Sequence, residues 1–75
     1  MDDVIDRIRR AVHTLRPAEA RVARAVLDDP DAALTSTVAS LAASAEASQA
    51  SVVRFARALG FSGLPELRIA LAREL

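Results

Sequence analysis

Residues 37–60, TVASLAASAEASQASVVRFARALG, hold two apolar stripes of helical spacing with almost nothing between them. Val38, Leu41, Ala42 and Ala45 recur at the i, i+3, i+4, i+7 interval of one helical face, and Val52, Phe55, Ala56 and Leu59 repeat it. Thr37 and Ser48 stand just ahead of the two stripes, where a hydroxyl can accept a free amide of the first helical turn. Gly60 follows the second stripe at the place where a left-handed residue closes a helix. Glu46 and Ala47 leave room only for a sharp turn. This spacing predicts a helix-turn-helix, a motif whose second helix can enter a DNA major groove.

The flanking sequence predicts further helices. A first helix over 3–15 carries Val4, Ile5, Ile8, Val12 and Leu15 on one stripe, with Asp2, Asp3 and Asp6 favouring the positive end of its dipole. Pro17 marks a new start supported by Glu19. Val22, Ala23, Val26 and Leu27, extended by Ala20, cover an arc wide enough for a central helix touched on several sides. Asp28-Asp29-Pro30 ends it. Residues 31–36 form a connector with one helical turn at most, anchored by Leu34. Pro65 and Glu66 open a last helix in which Leu64, Leu67, Leu71 and Leu75 share a face and Ile69 points away. No stretch of useful length alternates with period two. The expectation is one all-α domain over 1–75, a five-helix bundle containing the helix-turn-helix.

Composition narrows the function. Hydrophobic residues make up 52% of the 75 but aromatics only 3%, so the core must be Ala, Leu, Val and Ile, which suits closely packed helices. A core of this size is marginal, so tight packing or a partner supplements it. Without cysteine there is no disulfide framework and no thiolate metal site. No apolar run spans a bilayer, and the charged start MDDVIDRIRR is unlike a signal peptide, so the cytoplasm is the expected location. His13 is a single histidine with no partner at fixed spacing, and Asp28, Asp29 and Asp31 lack the glycine and distal glutamate of a calcium loop. No catalytic residue, metal or cofactor is implied.

Ten basic and ten acidic residues cancel, and the pI of about 6.6 is low for a nucleic-acid-binding domain. All ten basic residues are arginine, however, which can pair bidentately with guanine or phosphate. Asp2, Asp3, Asp6, Glu19, Asp28, Asp29 and Asp31 crowd the first part of the chain, whereas the fourth helix holds Arg54 and Arg57 and no acid. On a helical wheel Ala50, Arg54 and Arg57 point outward there, flanked by Gln49 and Val53. Gln suits adenine, Arg guanine, and Val or Ala a thymine methyl. Ser48 and Ser51 stand where hydroxyls and free amides can hold a phosphate. The candidate DNA contacts are therefore Thr37, Ser48, Gln49, Ala50, Ser51, Val53, Arg54 and Arg57. Arg7, Arg9 and Arg10 could touch DNA backbone or only solvate the first helix. The rival reading is a helical interaction or dimerisation module, favoured by zero net charge and an outward Ile69.

The pieces LRPAEARVARAVLDDP, VASLAASAEAS and SVVRFARALGFSGLPELR, in that order, resemble the N-terminal domain of RpiR-type bacterial transcription regulators over nearly the whole chain. The most specific segment is Ser51-Val52-Val53-Arg54-Phe55 followed by Leu59-Gly60-Phe61 and Gly63, a tail that a generic helix-turn-helix does not require. The resemblance implies binding of double-stranded operator DNA, usually as a homodimer. It also implies a sugar-isomerase-type domain, absent here, that senses a phosphosugar, and a role in sugar or sugar-derivative metabolism. Two residues depart from the usual motif. Glu46 stands in the turn where glycine is common, at a cost of about 1 kcal/mol if φ is positive. Ala47 replaces a larger aliphatic residue.

Overall fold

The computed structural model describes residues 3–75. Six helices follow one another: α1 (Val4–Ala11), α2 (Pro17–Asp28), α3 (Pro30–Thr35), α4 (Val38–Ala45), α5 (Gln49–Ala58) and α6 (Leu64–Ala72). The described residues contain no strand, and the all-α expectation holds. The count of five becomes six because the expected connector is α3. Asp29 is the reason: it closes α2 as its C-cap, and its carboxylate accepts the Ala32 N–H at 3.1 Å to open α3, with Pro30 at the first position. Ala33, rather than Leu34, is the fully covered residue of this short helix.

α1 is shorter than its apolar stripe. It stops at Ala11, whose carbonyl accepts the Thr14 N–H at 2.9 Å, the Leu15 N–H at 3.0 Å and the Thr14 hydroxyl at 3.2 Å. Pro17 also keeps Arg16 extended, at φ −63° and ψ 155°, which prevents the helix from running on. The start of α1 gathers acids. Asp3 accepts the Asp6 N–H at 2.7 Å, and Glu74, from the far end of the chain, accepts the Val4 and Ile5 N–H groups at 2.6 and 3.2 Å. Carboxylates there complement the helix dipole, and Glu74 also joins the two ends of the fold. Asp2, expected to share this task, lies outside the described residues.

α2 is the hub. It touches α1, α3, α4 and α5, and its Val22, Ala23 and Val26 are sealed from solvent, which explains its broad apolar arc. Ile8, Val52, Phe55, Leu64, Leu67 and Leu71 complete the centre, while Ala42, Ala45 and Ala56 let helices approach closely. Leu75 does not join the leucine face of α6, because the helix ends at Ala72; it is 56% exposed, and Ile69 is 57% exposed. The first turn of α6 has no side-chain cap from Gly63. Glu66 instead reaches back, accepting the Ser62 hydroxyl at 2.5 Å and the Ser62 N–H at 3.2 Å. Those two bonds, the hydroxyl first, hold the Glu66 carboxyl below its ordinary range.

Candidate nucleic-acid interface

Local chemistry builds the α4–α5 pair. Thr37 and Ser40 form a reciprocal box: Thr37 Oγ1 accepts the Ser40 N–H at 3.0 Å, and Ser40 Oγ accepts the Thr37 N–H at 2.9 Å. At the other end of α4, Glu46 takes a left-handed conformation, φ 54° and ψ 47°. Its N–H bonds the Ala43 carbonyl at 3.2 Å, and the Ala47 N–H bonds that of Ala42 at 2.9 Å, the two closing bonds of a Schellman motif. The chain then turns through Ala47 to Ser48, whose Oγ accepts the Ser51 N–H at 3.1 Å and opens α5. Packing of α4 and α5 on α2 fixes the rotation of α5: Val52, Phe55 and Ala56 are wholly buried, so the opposite face must look outward.

That outward face carries most of the candidates. Gln49, Ala50, Arg54 and Arg57 are exposed and Val53 is half-buried beside them, at the i, i+1, i+4, i+5, i+8 positions of a single face. Ser48 is exposed at the helix start, where the first-turn amides have no carbonyl of their own helix to meet. Thr37 is exposed too, but its hydroxyl is engaged in the α4 cap. Ser51 departs from the expectation. It is 3% exposed, and its Oγ meets Ser48 Oγ at 3.0 Å and accepts an N–H from Arg54 Nη2 at 3.1 Å. One helical residue on from Ala50 the side chain has rotated toward the core, so Ser51 acts from beneath the surface, on Arg54.

Arg54 has a second partner that spacing does not reveal. Its Nε lies 3.5 Å from Oε2 of Glu19, in the first turn of α2. Glu19 is a buried acid, whereas the Arg54 side chain remains 53% exposed. In the sequence Glu19 reads only as support for the start of α2 at Pro17; its contact with Arg54 is tertiary and has no local signal. Two other arginines are likewise engaged, each by a backbone carbonyl. Arg21 donates through Nη2 to the Glu46 carbonyl at 3.1 Å, bracing the turn from α2. Arg7 donates to the Leu59 carbonyl at the end of α5, and its guanidinium lies 5.2 Å from the centroid of the Phe61 ring. Arg9 pairs with Asp6 at 3.5 Å. A shallow groove of about 360 Å³, lined by Arg7, Arg10, Ala11, Thr14, Ala58 and Leu59, includes none of the eight DNA-contact candidates. Among the described residues no helix is long and apolar enough to cross a membrane.

A tri-helical support around α2, a turn of Glu46, Ala47 and Ser48, and a second helix whose outer face is polar define a helix-turn-helix domain. More narrowly, the chain belongs to the rpiR family of helix-turn-helix domains, whose profile matches residues 3–75. It is 39% identical over all 75 residues to the HTH-type transcriptional regulator HexR of Pseudomonas aeruginosa, and spans 26% of that protein. It is 39% identical over 72 residues to the bifunctional protein glk of Burkholderia mallei, covering 96% of this chain and 11% of that one. The N-terminal domain of the transcriptional regulator ybbH from Bacillus subtilis superposes with a TM-score of 0.88 at 34% identity, covering 91% of this chain and 83% of that chain.

Proposed function

We propose that this domain binds operator DNA by laying α5 in the major groove, with Gln49, Ala50, Val53, Arg54 and Arg57 toward base edges and Thr37 and Ser48 toward phosphates. The observation that carries the reading is the outward row of α5: its donors are exposed while the reverse face of the same helix is sealed into the core. A row so placed offers short and hydrogen-bonding side chains to base edges, and the starts of α4 and α5 offer amides to phosphate. The domain acts by binding, with no chemistry of its own, inside the cytoplasm where operator DNA is met. The resemblance of HexR and of ybbH, both described as regulators of transcription, supports this assignment.

In this reading the domain serves a dimeric regulator of sugar or sugar-derivative metabolism, whose phosphosugar effector is sensed by a separate sugar-isomerase-type domain. Zero net charge gives little long-range attraction, so a single domain relies on a few arginine–phosphate contacts. A dimer doubles them and places two α5 helices about one turn of DNA apart, or a multiple of it. The test is a titration of the chain, and of two copies joined by a linker, against operator duplex across a salt series. The tethered pair binds more tightly and with a steeper salt slope, by roughly 0.9 per added phosphate contact. Arg54→Ala and Gln49→Ala each weaken specific binding by about 1–3 kcal/mol while leaving the melting curve near that of the parent. Equal affinities with flat salt slopes reject the reading. They favour instead a helical interaction module, for which exposed Ile69 on α6 is the supporting observation.

A further inference from the structure

Arg54 is held along one edge. Its Nε faces the Glu19 carboxylate at 3.5 Å and its Nη2 donates to Ser51 Oγ at 3.1 Å. Ser51 is itself fixed by Ser48 Oγ, so the edge contact is anchored on both α2 and the start of α5. A guanidinium has five N–H groups in a planar fork. With the Nε side and one Nη2 hydrogen engaged inward, the two hydrogens of Nη1 and the other of Nη2 remain. Among the described residues Nη1 has no acceptor within hydrogen-bond reach. That remaining edge is the one suited to a bidentate contact with the O6 and N7 of guanine.

We propose that Glu19 is the positioning residue that sets the sequence specificity of Arg54. The proposal rests on the DNA-binding reading above and deepens it. Two effects act together. Geometrically, the buried carboxylate turns the fork so that its outer edge is presented before DNA arrives, which lowers the ordering cost of the contact. Electrostatically, it cancels much of the Arg54 charge. A phosphate is bound chiefly through charge, whereas a guanine edge is neutral and is bound through directed N–H groups. An arginine with its charge offset and its donors aimed therefore loses more attraction for arbitrary phosphate than for the correct base. The distance of 3.5 Å and the half-exposed Arg54 fit a contact that orients the side chain and still lets it reach outward.

The experiment begins with in vitro selection, using this chain, from a pool of randomised duplexes. Affinities are then measured for the selected duplex and for a mixed-sequence duplex of equal length, over a salt series. Glu19→Gln removes the charge at constant shape. It is expected to bind the mixed duplex up to about tenfold more tightly, with a salt slope steeper by about 0.9. Its affinity for the selected duplex changes less, and the base-pair preference that Arg54→Ala abolishes becomes weaker. In an Arg54→Ala background, Glu19→Gln leaves sequence preference unaltered. Arg54→Lys, at an exposed position that does not test folding, keeps a charge for Glu19 but loses the fork. It retains mixed-duplex binding and loses the preference. An equal shift of Glu19→Gln on both duplexes, with preference intact, overturns the proposal, as does a preference that survives Arg54→Lys. If the parent chain enriches no sequence and shows a flat salt slope, the DNA-binding reading itself is what has failed.

Discussion

The two helices of the motif end in the same hydrogen-bond pattern on very different residues. After α4, Glu46 and Ala47 return their N–H groups to Ala43 and Ala42; after α5, Gly60 and Phe61 return theirs to Arg57 and Ala56, at 2.9 and 3.0 Å. Both closures need a positive φ, 54° at Glu46 and 95° at Gly60. Glu46 sits close to the centre of the left-handed region, which an L residue tolerates at a cost of about 1–2 kcal/mol. Gly60 sits farther out, and a Cβ there would meet Arg7 Nη2 at 3.2 Å. The difference teaches where a glycine is optional. At the turn between α4 and α5, Arg21 from α2 grips the Glu46 carbonyl and helps hold a side-chain-bearing residue in place. At the end of α5, Arg7 occupies the space a side chain would need, bound to the Leu59 carbonyl and lying over Phe61.

The largest effect expected from this contrast is at Gly60. Gly60→Ala lowers stability by about 1–2 kcal/mol, the left-handed strain exceeding the gain from a stiffer unfolded chain. Chemical denaturation measures it, and repeating it in an Arg7→Ala background separates backbone strain from contact with the guanidinium. A cost that vanishes in that background assigns everything to the contact and breaks the conformational half of the comparison. Next is Glu46→Gly, which raises stability by about 0.5–1 kcal/mol by relieving strain. It also tightens DNA binding, because an exposed carboxylate beside α5 is removed. A destabilised variant shows instead that the Glu46 side chain has a structural use.

Arg21→Met comes third, with a loss of about 0.5–1 kcal/mol from the missing bond to the Glu46 carbonyl. Since the acceptor is backbone, the same loss persists when Glu46 is glycine; a loss confined to the glutamate background would place the interaction on the side chain. The smallest effect is one of pH. The Glu66 carboxyl, held below its ordinary range by Ser62, favours the folded form above the unfolded pKa. That support fades as pH falls through the lower folded value. NMR shifts of Ser62 and Glu66, just beyond the end of α5, therefore move on acid titration only at a pH below that of an ordinary carboxylate. Ser62→Ala returns Glu66 toward its ordinary titration and removes the difference.

Much of this arrangement is legible residue by residue. The caps Thr37 and Ser48 act within three residues of themselves, and Gly60 marks its own conformation, so the starts of α4 and α5 and the end of α5 follow from short-range chemistry. The apolar stripe of α5 fixes which face it buries. Where sequence alone misleads, a competing local interaction intervenes: Thr14 and Pro17 stop α1 before its stripe runs out, and α3 is too short for any period to show. Ser51 is misplaced on the surface because a serine near a helix start is equally fit to cap, to bind phosphate or to support a neighbour. Only packing selects among these.

By itself, then, the sequence determined five of the six helical segments in outline, the buried face of α5 and the family of the domain, because each depends on spacing along one chain. The tertiary structure decided which charges face each other. Glu19 meets Arg54, Arg21 meets the Glu46 carbonyl, and Arg7 meets the end of α5 only once α1 and α2 have docked against the motif. Charge–charge and charge–dipole contacts depend on distance through space rather than along the chain. A neutral composition therefore left open how much cationic surface remains for DNA, and folding tied Arg7 and Arg21 to backbone carbonyls, paired Arg54 with Glu19 and left the Arg54 side chain half exposed.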